Sequence, residues 1–153
     1  MTMIQNLFFN NYLLLLPVVS WAAAQLCKTI IHFITSGKFV AERLVGSGGM
    51  PSSHASLVCA LFIGCARKFG LSSPYFAIAF VLAAIVMYDA MGVRLETGKQ
   101  AKLLNRMMDR QKEDEPDDVL EVERLKEMVG HTPLQVLAGA MLGILIAVLI
   151  PVF

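Results

Sequence analysis

Residues 74–93 read PYFAIAFVLAAIVMYDAMGV, a stretch of twenty residues in which only Asp89 is charged. A helix that crosses the hydrocarbon core of a bilayer needs roughly 20 mostly apolar residues. Three more stretches reach or approach that length, at Leu7 to Phe33, Ala55 to Phe69 and Pro133 to Phe153. The sequence therefore predicts an all-α fold, an integral membrane bundle of about four transmembrane helices.

The composition of the whole chain favours one membrane domain over residues 1–153. The chain is 56% hydrophobic and 16% charged, and its mean hydropathy of +0.63 is far above that of a soluble domain. A net charge of +1 gives no reason to expect a nucleic-acid partner. The N-terminus lacks a basic start and a cleavage site, so we expect the stretch from Leu7 to be a retained helix. A break at Pro17 would raise the number of segments to five.

Most of the charged residues lie in an insertion at residues 95–130. Apolar residues recur there at helical spacing over Lys99 to Lys112 and again over Val119 to Val129, with Pro116 between the two runs. This pattern predicts a cytoplasmic helical hairpin between the membrane segments. We expect it to be a solvated arm without a catalytic role.

Basic residues indicate the orientation of the bundle, because Lys and Arg concentrate in cytoplasmic loops. With four helices, the first and third loops share a side and hold ten basic residues, whereas the opposite side holds only Arg67 and Lys68. We therefore expect a multi-pass protein of a bacterial inner membrane, with both termini outside and these two loops in the cytoplasm. The ten residues are Lys38, Arg43, Arg94, Lys99, Lys102, Arg106, Arg110, Lys112, Arg124 and Lys126.

The segment GSGGMPSSHAS, residues 46–56, leads into the second apolar stretch. Ser52 is suited to cap a helix, and the N–H groups and dipole of a helix N-terminus attract phosphate. Flexible glycines let the backbone approach such an anion closely. The segment is either a phosphate-binding loop or a capped glycine loop with an interfacial histidine. Its candidate residues are Gly48, Gly49, Ser52, Ser53 and His54.

The segment GHTPLQVLAGAMLG, residues 130–143, opens the last apolar stretch in a similar way. Thr132 fits the N-cap position, Pro133 the first helical position and Gln135 the third, which together predict a capping box. His131 then lies just before the helix, at the membrane face where the other polar segments are predicted.

The same stretch carries Gly139 and Gly143, a pair of small residues four apart that allows close helix packing. We expect this face to pack on a neighbouring helix, and a homo-oligomer is one way in which it could do so.

Two more polar groups are predicted near this membrane face. In YDAMGVRLETGKQ, residues 88–100, Asp89 lies inside the apolar stretch, where a carboxylate needs a partner or a function. Arg94 is a planar cation suited to holding phosphate. On the first helix, Gln25 and Lys28 are three residues apart and share a face. Lys28 either binds phosphate or extends towards the headgroups.

Together these segments resemble the type 2 phosphatidic acid phosphatase superfamily. Residues 51–54 match its Pro-Ser-Gly-His block with serine in place of glycine, and His131 with Pro133 resembles its final block, His-x-Pro-x-Asp-Val. The resemblance is closest to a small divergent membrane branch, which is related to acid phosphatases and vanadium haloperoxidases. The sequence motifs of this branch are GGMPSSH, DAxGVR and GHxPxxV. The chain carries all three segments in order, and the resemblance spans residues 21–143.

The resemblance implies a membrane phosphatase that hydrolyses a phosphomonoester or pyrophosphate of a lipid or isoprenoid. By position, His131 would attack phosphorus and His54 would protonate the leaving group. The scheme requires no metal and no cofactor. The groups that would hold the phosphate oxygens are Lys28, Arg94 and the N–H groups near Ser52 and Ser53, supported by Gly48 and Gly49.

The chain departs from the superfamily pattern in three respects. Gln135 stands where the superfamily has the aspartate that orients the nucleophilic histidine, and Asp89 is the candidate to replace it from another helix. The charged insertion separates Arg94 from His131. No Arg-Pro block follows Lys28, and Lys38 and Arg43 are the candidates for the missing cation. The alternative is therefore a catalytically degenerate membrane protein that binds phosphorylated lipid, or that acts as a scaffold or transporter.

Overall fold

The computed structural model describes residues 11–37, 48–114, 123–127 and 129–153, without the side chains of residues 113 and 114. Five helices and no strands occur within these ranges. In chain order the helices are α1 (Tyr12–Ser36), α2 (Ser53–Phe69), α3 (Pro74–Met91), α4 (Val93–Asp114) and α5 (Pro133–Leu149). The expected all-α fold is confirmed, and the candidate positions Lys38 and Arg43 lie outside the described residues.

Polar capping residues fix where the helices of the bundle begin. The Ser52 and Ser73 side chains accept hydrogen bonds from the N–H groups of Ala55 and Phe76. Thr132 and Gln135 form the predicted capping box at the start of α5. These caps satisfy N–H groups that have no partner inside a helix, so each membrane segment starts at a defined residue.

The bundle exposes large apolar side chains along the outside of its helices, as a protein surrounded by lipid does. On α3, Ile78, Phe80 and Ile85 are each more than half exposed. A soluble protein seldom exposes an apolar surface of this extent. Helix α1 and the continuous stretch Pro74–Lys112 are long and apolar enough to cross a membrane. The chain is thus a helical membrane bundle.

Helix α1 is a single helix across Pro17. The five-segment alternative, which needed a break at this proline, is therefore wrong. Proline is tolerated inside membrane helices because neighbouring groups satisfy the backbone atoms it frees. Helix α2 starts at Ser53, and its 17 residues span only about 25 Å.

Helix α2 lies at the centre of the bundle and contacts α1, α3 and α5. Ser20 of α1 and Ser56 of α2 are fully buried, and their hydroxyl oxygens lie 2.7 Å apart. Each hydroxyl also donates to the main-chain carbonyl of the other residue. Such reciprocal bonds hold the two helices together where lipid supplies no hydrogen-bonding partner.

The glycines of α5 pack against the backbone of α2. A Cβ atom built at Gly139 or Gly143 would lie 2.2 Å from the carbonyl oxygen of Ser52 or Ser56, respectively. Both glycines are buried within the chain. The neighbouring helix expected on this face is therefore α2 of the same chain.

We expect Gly143→Leu to destabilise the fold, since the added side chain has to push α5 away from the backbone of α2. Overpacking of this kind costs about 1–3 kcal/mol. Thermal unfolding in detergent should therefore show a lower midpoint for Gly143→Leu than for wild type. Met141→Phe is the matched control, because Met141 is 61% exposed on the same helix. Equal midpoints for the two variants would contradict this packing.

The charged insertion differs from the predicted hairpin in its second half. Helix α4 forms as expected and follows α3 after Gly92. Residues 123–127, however, are not helical, and residues 119–122 lie outside the described part of the chain. The predicted second helix is wrong over residues 123–127, because contacts with α4 hold that segment in another conformation.

Candidate functional site

The three polar segments found in the sequence meet at one end of the bundle. The Ser52 N–H group donates to the carbonyl oxygen of Gln135 over 3.0 Å, which joins the start of α2 to the first turn of α5. The His131 N–H group donates to the carbonyl oxygen of Ala90 over 3.0 Å, which joins the α5 entrance to the end of α3. At the opposite end, Arg67 donates to the carbonyl oxygen of Ile150. At the polar end, the two main-chain hydrogen bonds of Ser52 and His131 therefore fix the relative positions of the three segments, whatever rotamers their side chains adopt.

A pocket of about 120 Å³ opens between these segments. This volume is several times the roughly 10–15 Å³ that one water molecule requires. The expected convergence of the two histidines with Arg94 is confirmed, since all three side chains line this pocket. The lining residues are His54, Val86, Asp89, Ala90, Arg94, Val129 and His131.

His131 is the most deeply placed ionisable residue of the pocket, with 3% of its surface exposed. Its Nδ1 atom lies 3.3 Å from Oε1 of Gln135. The same Oε1 accepts a hydrogen bond from the Thr132 N–H group, which fixes the orientation of the amide. Because an amide oxygen can only accept, a proton on Nδ1 satisfies this contact, and in that tautomer Nε2 of the neutral ring keeps its lone pair.

Burial lowers the pKa of His131 below its usual value of 6.5, and the nearby charge of Lys28 and the neighbouring His54 lower it further. Hydrogen bonding with Gln135 and with the Gly49 backbone partly opposes this shift. The ring is consequently neutral at pH 7, which is the protonation state that a nucleophile needs.

His54 lies in the first turn of α2 and is exposed, in contrast to His131. It interacts electrostatically with Arg94 and Lys28. An exposed imidazole at the mouth of the pocket can exchange protons with water, whereas the buried ring of His131 is shielded from it. The two histidines therefore have different environments, one exposed beside two cationic side chains and one buried.

Asp89 pairs with Arg94, and Nε of the guanidinium lies 2.5 Å from Oδ2 of the carboxylate. The side chain in contact with the His131 ring is instead Gln135. The contacts therefore differ from the expectation that Asp89 takes over the role of the missing aspartate. Asp89 holds Arg94 at the pocket, and both side chains remain partly exposed.

Lys28 is 3% exposed, so its ammonium group is inside the bundle and does not extend to the headgroups. Its charge reaches both histidines. Gln25, one turn earlier on α1, is 4% exposed, and its Oε1 has no hydrogen-bond partner among the described residues. The resulting polar interior is costly in a membrane protein and marks a functional region.

The serines and glycines before α2 contribute differently from what the sequence suggested. Ser52 uses its hydroxyl as a cap and its N–H group to reach Gln135, so that N–H group is not available to a phosphate. Ser53 is buried, with 1% exposed. Gly48 and Gly49 have φ values of 87° and 80°, a conformation that side chains disfavour. This turn places the Gly49 backbone against His131.

Val86 and Val129 also line the pocket. The sequence did not identify them as site residues, because an apolar residue within or beside an apolar stretch does not differ from its neighbours. Within the described ranges, no three His, Cys, Asp or Glu side chains are placed to hold a metal ion. The described lining residues supply two imidazoles and one ion pair, and the charge of the buried Lys28 reaches both imidazoles.

Comparison with known proteins assigns the chain to a family. The model of the Divergent PAP2 family matches residues 9–146. The chain is similar to the uncharacterized membrane protein YuiD of Bacillus subtilis strain 168, with 36% identity over 152 residues that cover 94% of this chain and 96% of the relative. No solved structure matches. The matched range includes all three polar segments, and the chain therefore belongs to the Divergent PAP2 family of membrane proteins.

Proposed function

We propose that the protein is a membrane phosphatase that hydrolyses a phosphomonoester or pyrophosphate of a lipid or isoprenoid through a phosphohistidine on His131. The observation that supports this best is the shared pocket of His54, Arg94 and His131. One buried neutral imidazole, one exposed imidazole and one guanidinium are the three kinds of group that attack, protonate and hold a phosphoryl group.

In the first step, Nε2 of His131 attacks phosphorus, and the bond between phosphorus and the leaving oxygen breaks. His54 donates a proton to that oxygen as it departs. Arg94 and Lys28 balance the charge on the phosphate oxygens during the transfer. In the second step a water molecule, deprotonated by His54, attacks the phosphohistidine and releases inorganic phosphate. Gln135 holds the His131 ring throughout, and Asp89 holds Arg94.

The position of the pocket supports a lipid substrate. Val86 lies one turn further into α3 than Ala90, so the pocket reaches towards the apolar part of the helix. Beyond it, Leu82 and Ile85 are exposed on the outside of the bundle. A phosphorylated lipid can therefore place its headgroup between the histidines while its chain remains in the bilayer. With the orientation given by the basic residues, the pocket would open to the cytoplasm of a bacterial cell.

The second candidate function is binding of a phosphorylated lipid without hydrolysis. It is favoured by Gln135, since an amide cannot stabilise the imidazolium form of a histidine as a carboxylate does. The two functions differ in their response to vanadate, which adopts the trigonal bipyramidal geometry of the transferring phosphoryl group. A catalyst is complementary to that transition state, whereas a binding protein is complementary to tetrahedral phosphate.

The test combines hydrolysis with anion binding. Purified protein should release phosphate from at least one member of a panel of phosphatidic acid, lysophosphatidic acid and isoprenoid mono- and pyrophosphates. Vanadate should raise the thermal midpoint more than phosphate does at equal concentration. No turnover on any substrate, together with equal stabilisation by the two anions, would instead support the binding function.

A further inference from the structure

The segment of residues 123–127 is held along α4 by a single buried side chain. Asn105 is 1% exposed. Its Nδ2 group donates to the carbonyl oxygen of Leu125 over 2.9 Å and to Oε1 of Glu127 over 2.8 Å. Its Oδ1 accepts from the Leu125 N–H group over 3.0 Å. Asn105 thus satisfies both main-chain groups of Leu125, as a neighbouring β-strand would.

Two glycines bring the chain at Glu127 and Gly130 against the first turns of α4. A Cβ atom at Gly98 would lie 2.6 Å from the carbonyl oxygen of Glu127. A Cβ atom at Gly130 would lie 2.3 Å from the main-chain nitrogen of Leu95. Both contacts are with backbone atoms, which have little room to move. Between Leu125 and the pocket, the described residues 125–127 and 129–130 are therefore fitted to α4.

The chain that follows the Asn105 contacts leads to the candidate site. Val129 and His131 line the pocket, and so does Arg94 in the first turn of α4. Asn105 lies eleven residues after Arg94, which corresponds to about 16 Å along the helix axis. Asn105 is consequently remote from the pocket but sets the course of the chain that enters it.

We propose that Asn105 is a positioning residue, which fixes residues 123–127 on α4 and thereby sets the His131 ring relative to Arg94. The charged insertion is then part of the site and not a solvated arm. This inference concerns the proposed phosphatase site, but its test does not depend on turnover. The ion pair of Arg124 with Asp109 cannot replace Asn105, since both side chains are more than half exposed and such pairs contribute little.

The test uses the full chain in detergent or nanodiscs, with Asn105→Ala compared with wild type and with Asp109→Ala. Asp109 lies one turn further along α4, and its loss removes only the exposed ion pair. Diethyl pyrocarbonate modifies accessible imidazoles, and mass spectrometry reports each histidine separately. His54 is exposed and serves as the internal reference for the buried His131.

We expect Asn105→Ala to raise the modification rate of His131 relative to His54 on the order of tenfold, because the bonds of one buried side chain govern the local opening equilibrium. Trypsin cleavage after Arg124 and Lys126 should accelerate as well. Asp109→Ala should match wild type in both respects. Unchanged protection of His131 in Asn105→Ala would overturn the inference.

A reciprocal substitution separates positioning from a general loss of structure. Asn105→Asp places a carboxylate beside Glu127, and the added change Glu127→Gln gives that carboxylate a donor again. The double variant should regain part of the His131 protection and of the affinity for vanadate, while Asn105→Asp alone should lose both. If Asn105→Ala fails to fold, this pair supplies the same comparison. Equal protection in the single and double variants would also overturn the inference.

The outcome is distinguishable from that of the proposed function. If wild type hydrolyses no lipid phosphate but Asn105→Ala exposes His131 and weakens vanadate binding, the positioning role stands and the phosphatase activity does not. If wild type is active and Asn105→Ala retains the same kcat, KM and His131 protection, the activity stands and the positioning role does not.

Discussion

Replacing His131 with asparagine is expected to lower phosphate release by at least about a thousandfold, because the reaction loses its nucleophile. Asparagine is the conservative choice, since its amide can take the place of Nδ1 and keep a bond to Gln135. Phosphate release from the best lipid substrate, measured for both proteins at saturating concentration, gives the comparison. Rapid acid-free quenching should trap a phosphohistidine in wild type and none in the variant.

The control for this experiment is His32, the third histidine of the chain, which lies on α1 and bonds to Ser36. His32→Asn should keep full activity. Turnover and a trapped phosphohistidine that survive in His131→Asn would rule out this residue as the nucleophile.

The pH dependence follows from the lowered pKa of His131. The neutral nucleophile persists as the pH falls past 6.5, so the acid limb of kcat is expected below that value. The same shift makes the stability contribution of the neutral ring present above pH 6.5 and lost as the pH falls through the lower pKa of the folded protein. An acid limb at or above pH 6.5 would contradict the buried, neutral His131.

Replacing His54 with glutamine is expected to lower hydrolysis of an alkyl phosphate by about 10²–10⁴, the range found for loss of a general acid. The loss should be much smaller for p-nitrophenyl phosphate, because its leaving group departs without a proton. The ratio of the two losses identifies the role, since a variant that binds phosphate poorly loses both reactions equally. The kcat/KM values of wild type, His54→Gln and His32→Gln on both substrates provide the measurement.

Equal losses on the two substrates would assign His54 to phosphate binding and not to proton donation. Its exposure at the pocket mouth gives the physical reason to expect the first outcome. An imidazole in contact with water is reprotonated between turnovers, whereas a buried one depends on a relay.

Much of the fold could be predicted from the sequence, because hydropathy and capping act between residues close in the chain. The apolar stretches became α1, α2, α3 and α5, and the expected capping box at Thr132 formed. The sequence also predicted that His54, Arg94 and His131 lie at the same membrane face, because an even number of membrane crossings separates the segments that carry them. An odd number of crossings between any two of these segments would have placed them on opposite faces.

The second half of the insertion could not be predicted in this way. Apolar residues over 119–129 have helical spacing, yet residues 123–127 are held in another conformation by Asn105. The hydrogen bonds that compete with helix formation come from Asn105, which lies twenty residues before Leu125. The sequence of the segment itself contains no pattern that predicts these bonds. Tertiary hydrogen bonds therefore prevailed over local periodicity.

The sequence by itself determined which residues form helices, where the caps lie and which helix ends carry the polar segments, since each depends on neighbours within about two turns of the chain. Only the tertiary structure decided the partners across helices. It placed Gln135 on His131, Asp89 on Arg94 and Gly143 on the backbone of α2. Such pairings depend on side-chain directions and on separations of a few ångströms between helices, which no spacing along the chain encodes.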